Sequence, residues 1–375
     1  MKRIFTVLTS IALTFALSFS AAFASDDAFL KSQNYLKTIA LDSPDAVIAY
    51  EATGMEADYK ADALLNNFKE TDYVTASYGD LAKSIIAISL LGENPKDFNK
   101  TNLVEILENR VQEDGTLTND VNGGCGATIW TLMALETVNS PKVKAVADKL
   151  STMAMDNGAY WYEYQGPNAD LDTTGWAMEA LSVAGRSTYK AAISKAYTFV
   201  QSKLNSTDGY YDNWGGNADT QSCVLEGLSV AGYTLDTNAY NYLLSYQNED
   251  GTFNALNYST NQLEPNAYAS VEGARALGVI NNGSFVLKAR RDYTKTTTPV
   301  VTEPETPTTP SVKPETPITP STTTPAVKPE TTTTEPKKET VKVVNTGDNT
   351  NVMAYVVAAI AAVGVIVLVI KSKKK

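Results

Sequence analysis

The chain has 375 residues, no histidine, two cysteines and a formal net charge of −11 at pH 7. The negative charge argues against nucleic acids and anionic membrane surfaces, so we expect no nucleic-acid partner. The lack of histidine excludes serine–histidine and cysteine–histidine nucleophile pairs and histidine metal sites, and we expect no metal and no other cofactor.

Residues 1–24 have the pattern of a secretory signal peptide. Lys2 and Arg3 precede a short apolar stretch that ends in the small-x-small cleavage pattern Ala22-Phe23-Ala24. A transmembrane helix is the weaker alternative because the apolar core is short. We therefore expect the protein to be exported, with Ser25 as the first residue of the mature chain.

Residues 25–293 are long enough for one sizeable core and are predicted to be all-α. Helical segments come first, at residues 30–39, 44–52, 61–68, 76–91 and 103–111. A pattern then occurs four times: an amphipathic helix, an acidic-Gly turn, an aromatic loop and an Ala/Leu-rich helix. The turns contain Gly115, Gly158, Gly209 and Gly251, and the helices after them begin near Thr128, Thr173, Thr220 and Ala267. This spacing of 45 to 47 residues indicates stacked helical hairpins, with each Gly at a left-handed helix end.

The two helices of each hairpin differ in their polarity. The second helices, at residues 129–138, 176–183, 224–230 and 269–277, are apolar on nearly every side and should be buried. The first helices, such as residues 143–153 and 191–204, alternate charged residues with apolar stripes and should face solvent. An inner ring inside an outer ring is expected, and six hairpins would close an (α/α)6 toroid.

Residues 294–342 have the composition of a disordered Thr/Pro-rich stalk. They hold ten of the fifteen prolines of the chain, mixed with Thr, Glu and Lys. Such a segment has too few apolar side chains to offset the entropy of ordering, and proline keeps it extended. At roughly 3 Å per residue it could reach more than about 100 Å, enough to hold a domain away from its anchor.

The segment 343–375 has the layout of a surface anchor. Val343-Val344-Asn345-Thr346-Gly347-Asp348 precedes an apolar run at 352–370 and a lysine-rich tail, and such a run can span a bilayer as a transmembrane helix. The order resembles the sorting signal of Gram-positive cell-wall proteins, which a sortase cuts between Thr and Gly before joining the Thr to peptidoglycan. The resemblance implies cleavage between Thr346 and Gly347. Val343-Val344 stands where such signals carry Leu-Pro, and the alternative is a plain membrane anchor through the C-terminal helix.

The two cysteines, Cys125 and Cys223, fall two hairpins apart in the repeat. An exported protein with two cysteines can form one disulfide, and two buried thiols are the other possibility.

A motif at the end of the last repeat connects the chain to a known superfamily. Gln247-Asn248-Glu249-Asp250-Gly251-Thr252-Phe253 resembles the Gln-Trp motif of terpenoid cyclases and protein prenyltransferases, and Gln112 begins a weaker copy that ends in Leu117. In that superfamily the glutamine ties a helix end to the next turn and the aromatic ring packs on it. The resemblance covers roughly residues 27–285 and implies the same α/α toroid, with the motif as a brace that performs no chemistry.

The activities of that superfamily fit the chain unequally. Asp170-Leu171-Asp172-Thr173 resembles the Asp-x-Asp-Asp motif of class II terpene cyclases, with Asp172 in the place of the general acid. Asp172 also precedes an apolar helix, where an aspartate caps free N–H groups, and Asp219 recurs 47 residues later. This repetition favours a capping role for both aspartates over catalysis.

Other branches of the superfamily fit less well. Prenyltransferases hold zinc with a histidine that this chain lacks, and Ala127 interrupts the thioester pattern that begins at Gly124-Cys125-Gly126. Residues 82–98 and 102–104 are similar to the cobalamin-carrying intrinsic-factor branch, in which the toroid cooperates with a small β domain, and a stalk is expected here in place of that domain.

Aromatic loops precede the inner helices and would line one rim of a toroid. Trp161, Tyr162 and Tyr164 lie in one loop, and Tyr211 and Trp214 lie in the next. With Asp172 and Asp219 they form a candidate ligand-binding site, because rings beside carboxylates suit sugars or a flat ligand. Packing of the rings on the glycine turns is the alternative.

We expect a surface-displayed, non-catalytic binding or adhesion domain for an unidentified small molecule or glycan. The alternative is a carboxylate-using enzyme with Asp172 as its acid, either a cyclase-like isomerase or a glycan-cleaving hydrolase.

Overall fold

The computed structural model describes residues 26–57, 62–120, 123–162, 166–211 and 216–297. The predicted signal peptide, most of the stalk and the whole anchor segment, including Thr346, Gly347 and the span at 352–370, lie outside these residues. Within them, no helix is both long enough and apolar enough to cross a membrane.

The described residues are mostly helical, as predicted. The helices are α1 (Asp26–Leu36), α2 (Pro44–Ala52), α3 (Asp62–Glu70), α4 (Tyr78–Leu90), α5 (Leu103–Asn109), α6 (Gly126–Thr137), α7 (Val143–Thr152), α8 (Leu171–Gly185), α9 (Lys190–Ser202), α10 (Ala218–Ala231), α11 (Thr237–Ser245), α12 (Ala267–Asn282) and α13 (Phe285–Thr297). The strands are β1 (Leu204–Asn205), β2 (Gly209–Tyr210), β3 (Phe253–Asn257) and β4 (Gln262–Asn266), which pair as two antiparallel hairpins. The five segments predicted before residue 112 correspond to α1 to α5.

Six helices make a continuous series of packing contacts. Helix α2 packs on α4, α4 on α6, α6 on α8, α8 on α10, α10 on α12, and α12 returns to α2. Helices α6, α8, α10 and α12 are the segments predicted to be buried all round, and every residue of α6 is buried. Helices α6, α8 and α10 begin two residues earlier than predicted, whereas α12 begins at Ala267 as expected.

The more polar helices pack on the outside of this series. Helix α5 contacts α4 and α6, α7 contacts α6 and α8, α9 contacts α8 and α10, and α1 contacts α12 and α2. The four turn glycines that precede the inner helices all have positive φ, as the sequence predicted. Each of these four outer helices therefore covers the seam between two inner ones with its apolar stripe.

The turn after α11 fastens the last repeat to the first helix. The Gln247 side chain donates hydrogen bonds from Nε2 to the Ala28 carbonyl at 3.0 Å and to the Ser32 hydroxyl at 2.9 Å, both in α1. Gly251 has φ +85°, and a Cβ there would lie 2.1 Å from the Lys31 carbonyl oxygen. Only glycine permits this approach, so the turn can sit directly on the backbone of α1.

Helix α13 covers the C-terminal ends of several inner helices. The Lys288 ammonium lies 2.5 Å from a buried carboxylate oxygen of Glu51 in α2, and Arg290 pairs with Glu136 in α6. The helix also contacts α4. The predicted domain boundary at residue 293 falls inside this helix, which continues to Thr297.

Cys125 and Cys223 are both buried, and neither takes part in a disulfide. The second possibility from the sequence, two buried thiols, is therefore confirmed, and the disulfide is not formed.

Candidate functional site

Capping residues fix the first turns of α8, α10 and α12. The side-chain oxygens of Asp170, Asn217 and Asn266 accept hydrogen bonds from backbone amides three residues on, at 2.7, 2.8 and 3.0 Å. The predicted caps at Asp172 and Asp219 are wrong, because both residues occupy the second helical position. A side chain at that position projects from the side of the helix instead of folding back over its end. The N-caps of α8 and α10 are Asp170 and Asn217 instead.

These carboxyl groups line a cavity between the starts of α8, α10 and α12. The cavity has a volume of about 270 Å³. Its walls are Tyr162, Asp170, Asp172, Thr173, Trp176, Asp219, Tyr268 and Glu272. Three residues of the predicted binding set, Tyr162, Asp172 and Asp219, therefore meet at one site.

Three polar columns of residues run along the inner faces of α8, α10 and α12, and the residues nearest the helix N-termini line the cavity. Each column has residues at positions i, i+4 and i+7, which share one helix face. The columns are Asp172, Trp176 and Glu179 in α8; Asp219, Cys223 and Glu226 in α10; and Tyr268, Glu272 and Arg275 in α12.

The last residues of the three columns, Glu179, Glu226 and Arg275, compensate one another's charges. Arg275 Nε lies 3.0 Å from a carboxylate oxygen of Glu226, and both side chains are 1% exposed. Burial disfavours the guanidinium charge, but the charges of Glu226 and Glu272 hold the pKa of Arg275 above its usual value. Burial raises the pKa of Glu179 well above its usual range, and its Oε1 accepts a hydrogen bond from Ser284 at 3.0 Å. This layer joins α8, α10 and α12 to the start of α13.

The carboxyl groups of the cavity have weaker compensation, since Arg275 Nη2 lies 3.7 Å from a Glu272 carboxylate oxygen, compared with 3.0 Å between Arg275 Nε and Glu226. Burial, followed by the negative charge of Asp170, raises the pKa of Asp172 well above its usual range. Burial raises the pKa of Asp219 to about 6 and that of Glu272 to about 7, while Arg275 opposes both shifts. The cavity therefore holds carboxyl groups that change protonation state near neutral pH, which is a common property of functional sites.

Several buried polar atoms of the cavity residues have no hydrogen-bond partner among the described residues. They are Asp172 Oδ1, Thr173 Oγ1, Trp176 Nε1 and Asp219 Oδ1. Trp176 is only 9% exposed, so water does not readily reach its N–H group. Native proteins leave few buried polar atoms unpaired, because each costs about 1–3 kcal/mol. Their concentration around one cavity is typical of a site that a ligand completes.

An aromatic wall forms the side of the interior toward α6. The rings of Trp176 and Trp130 have centroids 5.9 Å apart, and Trp130 in turn stacks on Phe285 at 6.4 Å. The Lys83 ammonium lies 4.6 Å from the Trp130 ring centroid and 2.8 Å from a carboxylate oxygen of Asp45. The interior thus has an aromatic side next to the carboxyl groups of α10 and α12.

The other predicted ligand-binding residues are distributed differently. Trp161 lines a separate cavity of about 390 Å³ with Thr128, Lys149 and other residues. Tyr211 is 48% exposed, and neither it nor Trp161 is among the described residues that line the central cavity. Tyr164 and Trp214 lie outside the described residues.

Sequence reasoning missed most of the polar columns. Glu179, Glu226, Glu272 and Arg275 are charged residues inside helices that are otherwise apolar. Their i, i+3, i+4 and i+7 spacing relative to one another and to the aspartates was the available signal. Among the described residues, no group of three or more acidic or thiol side chains is placed to hold a metal ion.

Comparison with known proteins gives no family or relative. No protein-family model matches the chain, and no curated protein matches it. The function therefore has to be inferred from the geometry of the cavity.

Proposed function

We propose that the chain is a surface-displayed domain that binds a small ligand in the central cavity between α8, α10 and α12. The observation that carries the proposal is the convergence on one cavity of Asp172, Trp176 and Asp219, each with a buried polar atom that has no partner among the described residues. A ligand with matching groups would remove this desolvation cost on binding, which provides both affinity and orientation.

The proposed architecture is an (α/α)6 toroid like that of the terpenoid cyclase and prenyltransferase superfamily. Its support is the series of contacts in which α12 returns to α2, together with the outer helices that cover the seams. The contact of Gln247 with α1 supports it further, since a brace between the last and first repeats suits a closed ring. In a toroid, the cavity would open at one end of the central channel, and α13 would cover the other end.

The proposed location is the Gram-positive cell surface. Its support is the signal-peptide pattern of residues 1–24, the Thr/Pro composition of 294–342 and the anchor pattern of 343–375. Sortase would cut after Thr346 and join the chain to peptidoglycan, or the span at 352–370 would hold it in the membrane.

A ligand screen on the purified full-length chain tests the binding function. Ligand-observed NMR with a mixed library of sugars, amines, aromatic acids and corrinoids should find binders. Asp172→Asn and Asp219→Asn should change their affinity at least about tenfold, because hydrogen bonds to charged groups contribute about 1.5–3 kcal/mol. Asp156→Asn, in an exposed turn, is the matched control and should have no effect. A binder whose affinity is unchanged by both cavity substitutions would refute the proposed site.

One observation also favours the alternative, a carboxylate-using enzyme. Asp172 and Asp219 face the same cavity, and burial raises the pKa values of both carboxyl groups. Two carboxyl groups with raised pKa values at one cavity are candidates for general acid–base catalysis. Prolonged incubation of each binder with the protein distinguishes the two functions. Chemical conversion that Asp172→Asn abolishes, with binding retained, would establish the enzyme and overturn the binding-only proposal.

A further inference from the structure

We infer that the ligand of the cavity is a neutral, hydroxyl-rich ring of the size of one sugar unit, and not an organic cation. This inference rests on the proposed binding function and names the chemical class that the cavity selects.

The first argument is the chemical kind of the hydrogen-bonding groups that have no partner among the described residues. The oxygens of Asp172 and Asp219 accept hydrogen bonds when ionised, whereas the indole N–H of Trp176 can only donate. An ammonium ligand supplies donors alone and would leave the Trp176 N–H buried and unpaired. Hydroxyl groups both donate and accept, so a ligand with several of them can satisfy all three side chains and the Thr173 hydroxyl.

The second argument is the arrangement of charge beneath the cavity. Arg275 lies in the same column as Glu272, with its Nη2 atom 3.7 Å from a Glu272 carboxylate oxygen, and it also pairs with Glu226. The protein thus already supplies a buried cation next to the lower carboxyl of the site. Glu272 therefore already has a cationic partner within the protein and does not need a charged ligand to compensate it.

The third argument is the shape of the cavity and the nature of its sides. A volume of about 270 Å³ is slightly below the range of about 300–1,000 Å³ for sites that enclose drug-sized ligands. The space therefore suits a single ring or the end of a chain. Trp176, Tyr162 and Tyr268 supply aromatic surface, and Tyr268 is 53% exposed at the edge. An aromatic face beside carboxyl groups matches a ring with apolar C–H faces and polar edges.

Ligand-observed NMR on the full-length chain at pH 7 tests the inference with defined probes. The neutral probes are glucose, N-acetylglucosamine and myo-inositol, and the cationic probes are glucosamine and choline. At least one neutral probe should bind, and glucosamine should bind at least tenfold more weakly than N-acetylglucosamine or glucose. Trp176→Phe keeps the aromatic surface and removes the N–H, and it should weaken the neutral probe about tenfold. Asp156→Asn should leave binding unchanged.

The outcomes separate this inference from the proposed function. Choline or glucosamine binding that depends on Asp172, without binding of any neutral probe, would overturn the inference and leave the binding function standing. Failure of every probe, together with failure of the mixed library, would overturn both. If Trp176→Phe does not fold by circular dichroism, Asp172→Asn provides the second variant, and unchanged affinity for the neutral probe in Asp172→Asn would overturn the inference.

Discussion

Asp219→Asn should make the protein more stable, although it damages the proposed site. Burial raises the pKa of Asp219 from 3.8 to about 6 in the folded state. The folded protein therefore binds this proton more tightly than the unfolded chain, and stability is lost as the pH rises from about 4 through about 6. Above that range the carboxylate is charged and mostly buried, and its Oδ1 atom has no hydrogen-bond partner among the described residues. The asparagine has nearly the same shape and removes the charge.

The size of the effect follows from the pKa shift. A rise of about 2 units corresponds to about 3 kcal/mol, at 1.36 kcal/mol per unit. Partial exposure of Asp219 reduces this figure, and the substitution also loses the favourable position of a negative charge in the first turn of a helix, which contributes about 0.3–1 kcal/mol. We therefore expect a net gain of about 1–2 kcal/mol in the free energy of unfolding at pH 7.5, and little gain at pH 4.

Urea unfolding followed by circular dichroism at pH 4, 5.5 and 7.5 measures this gain. Wild type, Asp219→Asn and Asp156→Asn are compared, and the exposed control should match the wild type at every pH. A gain of the same size at all three pH values would show that charge burial is not its cause. A loss of stability at pH 7.5 would mean that the carboxylate of Asp219 is satisfied within the protein, which would contradict the interpretation of the site.

Three further substitutions, one of them with a matched control, test the packing. Gly227→Ala should cost at least about 3 kcal/mol in urea unfolding, since a Cβ there would lie 2.1 Å from a backbone oxygen of α8, whereas Gly79→Ala should be tolerated because its nearest atom is 3.9 Å away. Gln247→Ala should cost about 1–3 kcal/mol and speed hydrogen exchange in α1, and unaltered exchange there would contradict a bracing role. Glu226→Gln should cost about 3–5 kcal/mol, because it leaves the buried Arg275 guanidinium without its closest carboxylate, and a thermal midpoint within one degree of wild type would refute this.

The inner helices could be predicted from the sequence because a helix that is buried on every side is apolar over most of its length. Stretches rich in small and aliphatic residues mark α6 and α10, and the period of the repeat locates them. The sequence marks the starts of α8 and α10 less clearly. Asp170 and Asp172 are both good capping residues two positions apart, and sequence alone does not decide between them.

The features that were missed depend on contacts between distant parts of the chain. The segment Phe285–Thr297 carries many charges, so its packing against the inner helices is visible only when Glu51 and Glu136 are seen to pair with Lys288 and Arg290. The polar columns are similar. A single glutamate in an apolar helix looks like an exception, and only the alignment of three helices shows that Glu226, Glu272 and Arg275 form one cluster.

The brace between Gln247 and α1 has a consequence for how an exported chain would fold. Its two partners are separated by more than 200 residues, and the cations that pair with Glu51 and Glu136 arrive later still, on α13. A chain that crosses a membrane from its N-terminus exposes α1 and α2 first, before any of these partners is available. Contacts of such high sequence separation also form slowly. The early part of the domain would therefore remain incompletely folded during export, and the native contacts would be completed only once the last repeat and α13 had emerged.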